Sequence, residues 1–116
     1  MINLLEETIR AIREYNEKPE NIEFIGSEEG DYSCSWDEFK ALADREYDSV
    51  NGGQRVASDL VILFKSGKRM WRDEYDGTED WECFEPIVVK DGAKPIKSLF
   101  AKGFGWESLS RIHREE

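Results

Sequence analysis

One histidine, two cysteines and three prolines in 116 residues leave several kinds of chemistry with little to work with. Cys34 and Cys83 are too few and too far apart for a disulfide framework or a four-ligand zinc site. Cys34 follows Tyr32-Ser33 in an alternating segment and Cys83 stands between Trp81 and Phe84, so both read as small buried hydrophobes rather than nucleophiles. The one histidine, His113, lies in the tail sequence Arg111-Ile112-His113-Arg114. A Cys–His pair would need that tail to fold back, and an exposed tail histidine is the simpler expectation. No apolar run approaches a signal-peptide h-region or a membrane-spanning helix, and Met1-Ile2-Asn3 leads straight into an amphipathic pattern. A cytosolic protein without a membrane partner is expected. There is no internal repeat, low-complexity tract or domain linker, and the length suits a single domain over residues 1–116.

Two further patterns fail on inspection. Gly103-Phe104-Gly105-Trp106 has neither the third glycine nor the preceding strand of a nucleotide fingerprint. With Gly77 taken as the glycine of a calcium loop, Arg72 falls where the first aspartate belongs and Cys83 where the closing glutamate belongs. Only a loose Asp76/Glu79/Asp80 cation site survives as a minor alternative. No cofactor, resident metal or catalytic residue is expected.

What the sequence does have is negative charge: 26 acidic residues against 16 Lys and Arg, a formal −10. That balance disfavours direct binding to nucleic-acid phosphates or anionic membranes. The basic residues (Lys65, Lys68, Arg69, Arg72, Lys90, Lys94, Lys97, Lys102) are scattered or flanked by acids, so they make no nucleic-acid stripe. The balance permits a basic protein partner, including a surface that normally holds nucleic acid. It is also compatible with acidity that only keeps a small protein soluble. Asp73 to Glu85 holds seven carboxylates and no Lys or Arg; Glu28 to Asp48 holds eight against Lys40 and Arg45. Two such blocks are either solvated faces or one continuous phosphate-like surface. Trp71, Tyr75, Trp81 and Phe84 are interleaved with the second block, as interface anchors or as sheet core. The candidate partner-binding set is therefore Trp71, Asp73, Glu74, Asp76, Glu79, Asp80, Trp81 and Glu82. A homodimer stays open.

The fold is organised around residues 59–85. Leu60-Val61-Ile62-Leu63-Phe64 is the longest apolar run, Lys65 to Lys68 reads as a turn, and Arg69 to Tyr75 as a second strand. Asp76-Gly77 is a two-residue hairpin signal, and Glu79 to Glu85 reads as a third strand. Ile2, Leu5, Ile9, Ile12 and Tyr15 predict an amphipathic helix over about residues 3–16, closed by Lys18-Pro19. Ile22 to Ile25 reads as a strand, Ser27 to Asp31 as a turn, and Tyr32 to Cys34 as another short strand. Ser35-Trp36-Asp37-Glu38 fits a capping box opening a helix to about residue 46, with Trp36, Phe39, Leu42, Ala43 and Tyr47 on one face. Asn51-Gly52-Gly53 breaks the pattern, and Gln54 to Ala57 is consistent with a short helical turn. Pro86 to Val89 is an edge strand or an extended crossing segment. Ile96, Leu99, Phe100, Phe104 and Trp106 suggest a tail packed on the domain, with a terminal helix over about 106–115. The fold class expected is α+β, an antiparallel β-meander with helices packed on one face.

The runs Tyr32 to Phe39, Ala43 to Asp48 and Val56 to Lys65, with Glu74-Tyr75-Asp76-Gly77 and Trp81-Glu82 after them, resemble small acidic accessory proteins of phages and prophages of Gram-positive bacteria. The resemblance spans about residues 20–100 and supplies no catalytic motif. It implies a setting, the host cytoplasm, and a role: such proteins often inhibit host defence enzymes, anti-CRISPR proteins among them, by occupying nucleic-acid grooves. The expectation is a non-enzymatic acidic binding protein, an anti-CRISPR-like inhibitor of a nuclease acting by nucleic-acid mimicry. A structural or oligomer-forming accessory protein is the alternative, and a metal-dependent enzyme the third.

Overall fold

A computed structural model describes residues 1–50, 54–103 and 105–114. The expected loop tip Asn51-Gly52-Gly53, the apolar Phe104 and the last two tail residues lie outside the described residues. The chain divides into two compact units, Met1–Pro86 and Ile87–Glu116.

The first unit runs β1 (Ile2–Asn3), α1 (Leu4–Glu14), β2 (Ile22–Ser27), β3 (Ser33–Cys34), α2 (Trp36–Ala43), β4 (Glu46–Tyr47), β5 (Leu60–Phe64), β6 (Arg69–Tyr75) and β7 (Thr78–Phe84). Five strands form one antiparallel sheet in the order β3-β2-β5-β6-β7, and β1 pairs with β4 in a separate ribbon. Both longer helices pack on the same face of the sheet. Ala11 and Ile12 of α1 and Phe39 and Ala43 of α2 close over Ile25, Ile62, Phe64, Met70 and Trp81. The architecture is the expected α+β meander.

Local chemistry sets the element ends. The Asn3 side chain accepts the Glu6 N–H at 3.0 Å, so α1 starts one residue later than its periodicity suggests. It closes before Asn16, whose φ of 58° is left-handed. The expected capping box is present: the Ser35 hydroxyl accepts from Glu38 N–H at 3.1 Å and the Glu38 carboxylate accepts from Ser35 N–H at 2.9 Å. Those bonds hold the Glu38 carboxyl below its ordinary range. α2 then stops at Ala43, not near residue 46. At 100° per residue, Trp36 and Ala43 lean to one side of Phe39 and Leu42 to the other. Such a short helix buries only one side, and Leu42 is 73% exposed. Tyr47 is buried from β4 instead of from a helix.

Asp76 and Gly77 take φ values of 53° and 83°, so both central residues of the β6–β7 turn are left-handed, the geometry that matches strand twist. The resulting register aligns rows across the sheet. Ile25, Ile62, Met70 and Cys83 form one row facing the helices. The row beside it, Gly26, Val61, Trp71 and Glu82, faces the other way, as does Phe24, Leu63, Arg69 and Phe84. Gln54 to Ala57 form no helix, and Pro86 to Val89 form no strand. Pro86 has no amide hydrogen to continue the ladder, which ends at Phe84.

In the second unit the regular element is α3 (Leu109–Ile112), capped by the Ser108 hydroxyl, which accepts from Arg111 N–H at 3.1 Å. It is much shorter than the expected terminal helix. The Glu107 carboxylate accepts the N–H groups of Lys102 and Gly103 at 2.6 and 3.1 Å and pairs with Arg111 at 3.4 Å. Ile112 is buried, whereas Ile87, Val88, Val89, Leu99, Phe100 and Trp106 are exposed.

Gly26 is required by close approach. A Cβ there would stand 1.9 Å from the Tyr32 carbonyl oxygen and 2.6 Å from the Phe24 ring. Gly26→Ala is expected to push β3 off β2 and cost about 1–3 kcal/mol, read as a lowered thermal midpoint.

Candidate functional site

The β6–β7 hairpin divides the predicted binding residues between its two faces. On the face away from the helices lie Trp71 and Asp73 of β6 and, directly opposite them, Glu82 and Asp80 of β7. Tyr75, 83% exposed, and the exposed Phe84 extend this face at either end. Its one cation among the hairpin residues is Arg69, whose guanidinium stands 5.9 Å from the Trp71 ring centroid. Among the described residues, no ion pair reaches Asp73, Asp80 or Glu82. Two aspartates directly opposite each other on a strand pair repel. The Asp80 carboxyl is raised above its ordinary range, first by partial burial and further by Asp73, while Arg72 pulls it down.

Along the β7 edge this face adjoins a groove of about 260 Å³ against α1. Glu7, Glu14, Asp80 and Glu82 line it, with Arg10 as the single cation and Tyr15 and Trp81 as aromatic walls. The Tyr15 hydroxyl donates to the Trp81 carbonyl at 3.3 Å. Its own ionisation is pushed up by burial and then by Glu82.

Glu74 and Asp76 sit at the hairpin tip. The Glu74 carboxylate accepts the Gly77 N–H at 2.8 Å and so serves the turn. Glu79 and Trp81 are interior, 3% and 4% exposed, and a partner cannot reach them as surface groups. Period-two alternation turns both toward the helices, where they join a buried polar cluster that the sequence reading missed.

Its centre is Arg72, whose side chain is fully buried. Nη1 donates to Glu7 Oε1 at 3.2 Å and Nη2 to the Tyr47 hydroxyl at 2.9 Å; Glu79 Oε1 lies 3.6 Å away. The guanidinium also stacks over Trp81, 5.0 Å from its centroid, and over Tyr47 at 5.9 Å. Tyr47 donates to Glu7 at 2.6 Å. Glu79 accepts the N–H groups of Arg55 and Val56 at 3.0 and 3.2 Å, tying the chain before β5 to β7. Trp81 Nε1 donates to the Thr8 hydroxyl at 2.9 Å, which in turn donates to the Leu4 carbonyl at 2.7 Å. Burial first, then the bond to Glu7, pushes Tyr47 up to about 12 despite the opposing effect of Arg72, so the phenol stays neutral. Arg72 Nε is left without a partner. One signal was available in the sequence: Met70 and Arg72 share a strand face, so burying the first directs the second inward.

The two acidic blocks do not merge into one surface. Glu28, Glu29 and Asp31 lie in the turn between β2 and β3, at the opposite edge of the sheet from β7. It is β4 and the residue stretch after it that approach the hairpin: the Tyr47 hydroxyl accepts from Arg72 at 2.9 Å and the Ser49 carbonyl accepts the Glu79 N–H at 3.0 Å.

Both thiols are held protonated: burial and then Glu38 raise Cys34, and burial and then Glu85 raise Cys83. Among the described residues, no group of three or more His, Cys, Asp and Glu side chains is placed to hold a metal ion, the expected loose Asp76/Glu79/Asp80 set included. No helix among them is long and apolar enough to cross a membrane. No family model, curated protein or solved structure matches the chain.

Arg72→Met leaves two buried carboxylates without their cation and is expected to cost about 3–5 kcal/mol. Adding Glu7→Gln and Glu79→Gln is expected to restore part of that loss, measured by urea denaturation. Asp80 works in the other direction. Its folded-state carboxyl binds protons more readily than the unfolded one, so its own contribution to stability is greatest below the ordinary aspartate range and is lost as pH rises through the raised value. Asp80→Asn is therefore expected to gain about 0.2–1 kcal/mol at pH 7, toward the low end because solvent screens the pair. The gain should vanish below about pH 4, and a pH series of melts reads it.

Proposed function

We propose that this protein is a non-enzymatic binding protein whose acidic, aromatic sheet face engages a basic protein surface. The observation that carries this reading is the outer side of the β6–β7 hairpin. There Asp73, Asp80 and Glu82 stand without ion pairs beside Trp71 and Tyr75, on a surface that two helices leave uncovered. Mutual repulsion between Asp73 and Asp80 is relieved when a guanidinium or ammonium comes between them. The aromatics supply anchoring area that charge alone lacks.

A basic groove built for phosphates is the partner chemistry such a face fits. Together with the resemblance to phage accessory proteins, this favours an inhibitor of a nucleic-acid enzyme, of the anti-CRISPR kind, working in the host cytoplasm. The charge partition supports the first unit as the binding element. Residues 1–86 hold 10 Lys and Arg against 22 Asp and Glu, a formal −12, while residues 87–116 hold 6 against 4, a formal +2.

A second reading, self-association as an oligomer-forming accessory protein, is favoured by a different observation. The second unit exposes Ile87, Val88, Val89, Leu99, Phe100 and Trp106, large apolar side chains that association would cover. Salt separates the two. Charge-driven capture weakens as ionic strength rises, whereas apolar association does not.

The test compares two triple variants of equal charge change in pull-downs from native-host lysate at low and high salt. Asp73→Lys/Asp80→Lys/Glu82→Lys is expected to lose the salt-sensitive partner. Glu20→Lys/Glu28→Lys/Glu29→Lys, exposed positions away from the hairpin, is expected to keep it. Retained capture by the first variant, or equal loss by both, overturns the assignment of this face.

A further inference from the structure

The histidine of the second unit has a fixed protonation pattern. His113 Nδ1 lies 2.7 Å from the Leu109 carbonyl oxygen. Its Nε2 lies 2.9 Å from the amide nitrogen of Lys97 and 3.3 Å from that of Ser98. A carbonyl only accepts, so Nδ1 carries the hydrogen; amide groups only donate, so Nε2 offers them its lone pair. The ring thus ties the end of α3 to backbone sixteen and fifteen residues earlier in the chain. This arrangement exists only for the neutral imidazole, because the imidazolium has a donor at both nitrogens and nothing with which to accept.

We propose that His113 is an acid-released latch: protonation removes the acceptor for Lys97 and Ser98 and frees the 97–98 backbone from α3. The adjoining cavity, about 370 Å³, is bordered by Lys94 and Arg114, both cationic, with Pro95, Ile96, Leu109 and Ser110. On the α3 side, Arg111 is already paired with Glu107 at 3.4 Å, and Glu107 is engaged by Lys102 and Gly103. Among the described residues of the second unit, the remaining carboxylate is Asp91, and no ion pair joins it to His113. An imidazolium formed in place would face two inward-pointing amide hydrogens.

The consequence is conformational. The latch closes a loop that holds Leu99, Phe100 and Trp106, three of the exposed apolar residues of this unit. With the latch closed their backbone is tethered at both ends; with it open the 97–98 end is released. The closed state binds one proton fewer, so the closed-to-open ratio falls by up to about tenfold per unit of pH below the imidazole transition.

Two measurements on the full chain decide it. The first is the long-range ¹H–¹⁵N spectrum of the imidazole at pH 8, where the Nδ1–H tautomer is expected; an Nε2–H tautomer overturns the proposal. The second is amide exchange at Lys97 and Ser98, expressed as protection relative to intrinsic rates. Protection is expected at pH 8 and is expected to drop at least tenfold by pH 5. His113→Ala should lose it at both pH values, while His113→Gln, whose amide oxygen accepts without titrating, should show no acid-induced drop. Protection that is unchanged across the imidazole titration in the natural sequence, or an equal drop in His113→Gln, would show that other groups govern the segment.

Discussion

The first unit depends on a guanidinium that has no access to water. Taking Arg72 out of solvent costs several kcal/mol unless its charge and donors are met. Glu7 from α1, Glu79 from β7, the Tyr47 hydroxyl from β4 and two aromatic faces meet nearly all of them. These come from three separate elements, α1, β4 and β7, so the cluster is satisfied in one arrangement of helix, ribbon and hairpin. An apolar replacement would tolerate many arrangements. The same logic explains the chain leading into β5, which is irregular but held by two backbone N–H groups that the Glu79 carboxylate accepts.

Burial of this kind changes what the negative charge of the protein means. Of the carboxylates in the second acidic block, Glu79 is spent on an internal cation and Glu74 on a turn amide. Asp73, Asp80 and Glu82 have no such internal employment, and two of them face each other across a strand pair. A solubilising surface needs charges that are spread and mixed in sign. A like-charge pair flanked by tryptophan and tyrosine is a poor solution to that problem and a reasonable one to the problem of receiving a basic partner.

The parts legible in the sequence were those governed by neighbours in the chain. The apolar run of β5, the strand β6, the Asp76-Gly77 turn and the Ser35 capping box are set by residues a few positions apart, and each stands where its pattern puts it. The Arg72 cluster was not legible, because Tyr47 and Glu7 stand 25 and 65 positions from Arg72 and a lone arginine in a charged strand looks solvated. Tyr47 was misplaced for a related reason: helical spacing from Phe39 fits it, but pairing with Ile2 draws it into a strand. His113 looked like an exposed tail residue, since nothing in the sequence shows that Lys97 and Ser98 turn their amides toward it. For the candidate face, alternation assigned residues to two sides without saying which side was inner, so Glu79 and Trp81 were grouped with residues from which the pleat separates them.

That alternation also links the interior to the surface. In a strand pair, a slip of one residue exchanges the two faces completely. A β7 displaced by one position would bring Asp80 against the helices and turn Trp81 to solvent, and the tip glycine offers little resistance by itself. The hydrogen bond from Trp81 to Thr8 and the contact of Glu79 with Arg72 do resist it, because in the slipped register Thr8 and Arg72 would lose these partners inside the core. The carboxylates of the outer face therefore owe their positions to the cation behind them. A basic partner of the kind proposed would meet Asp73, Asp80 and Glu82 on a paired hairpin, where little backbone freedom remains to be lost on binding.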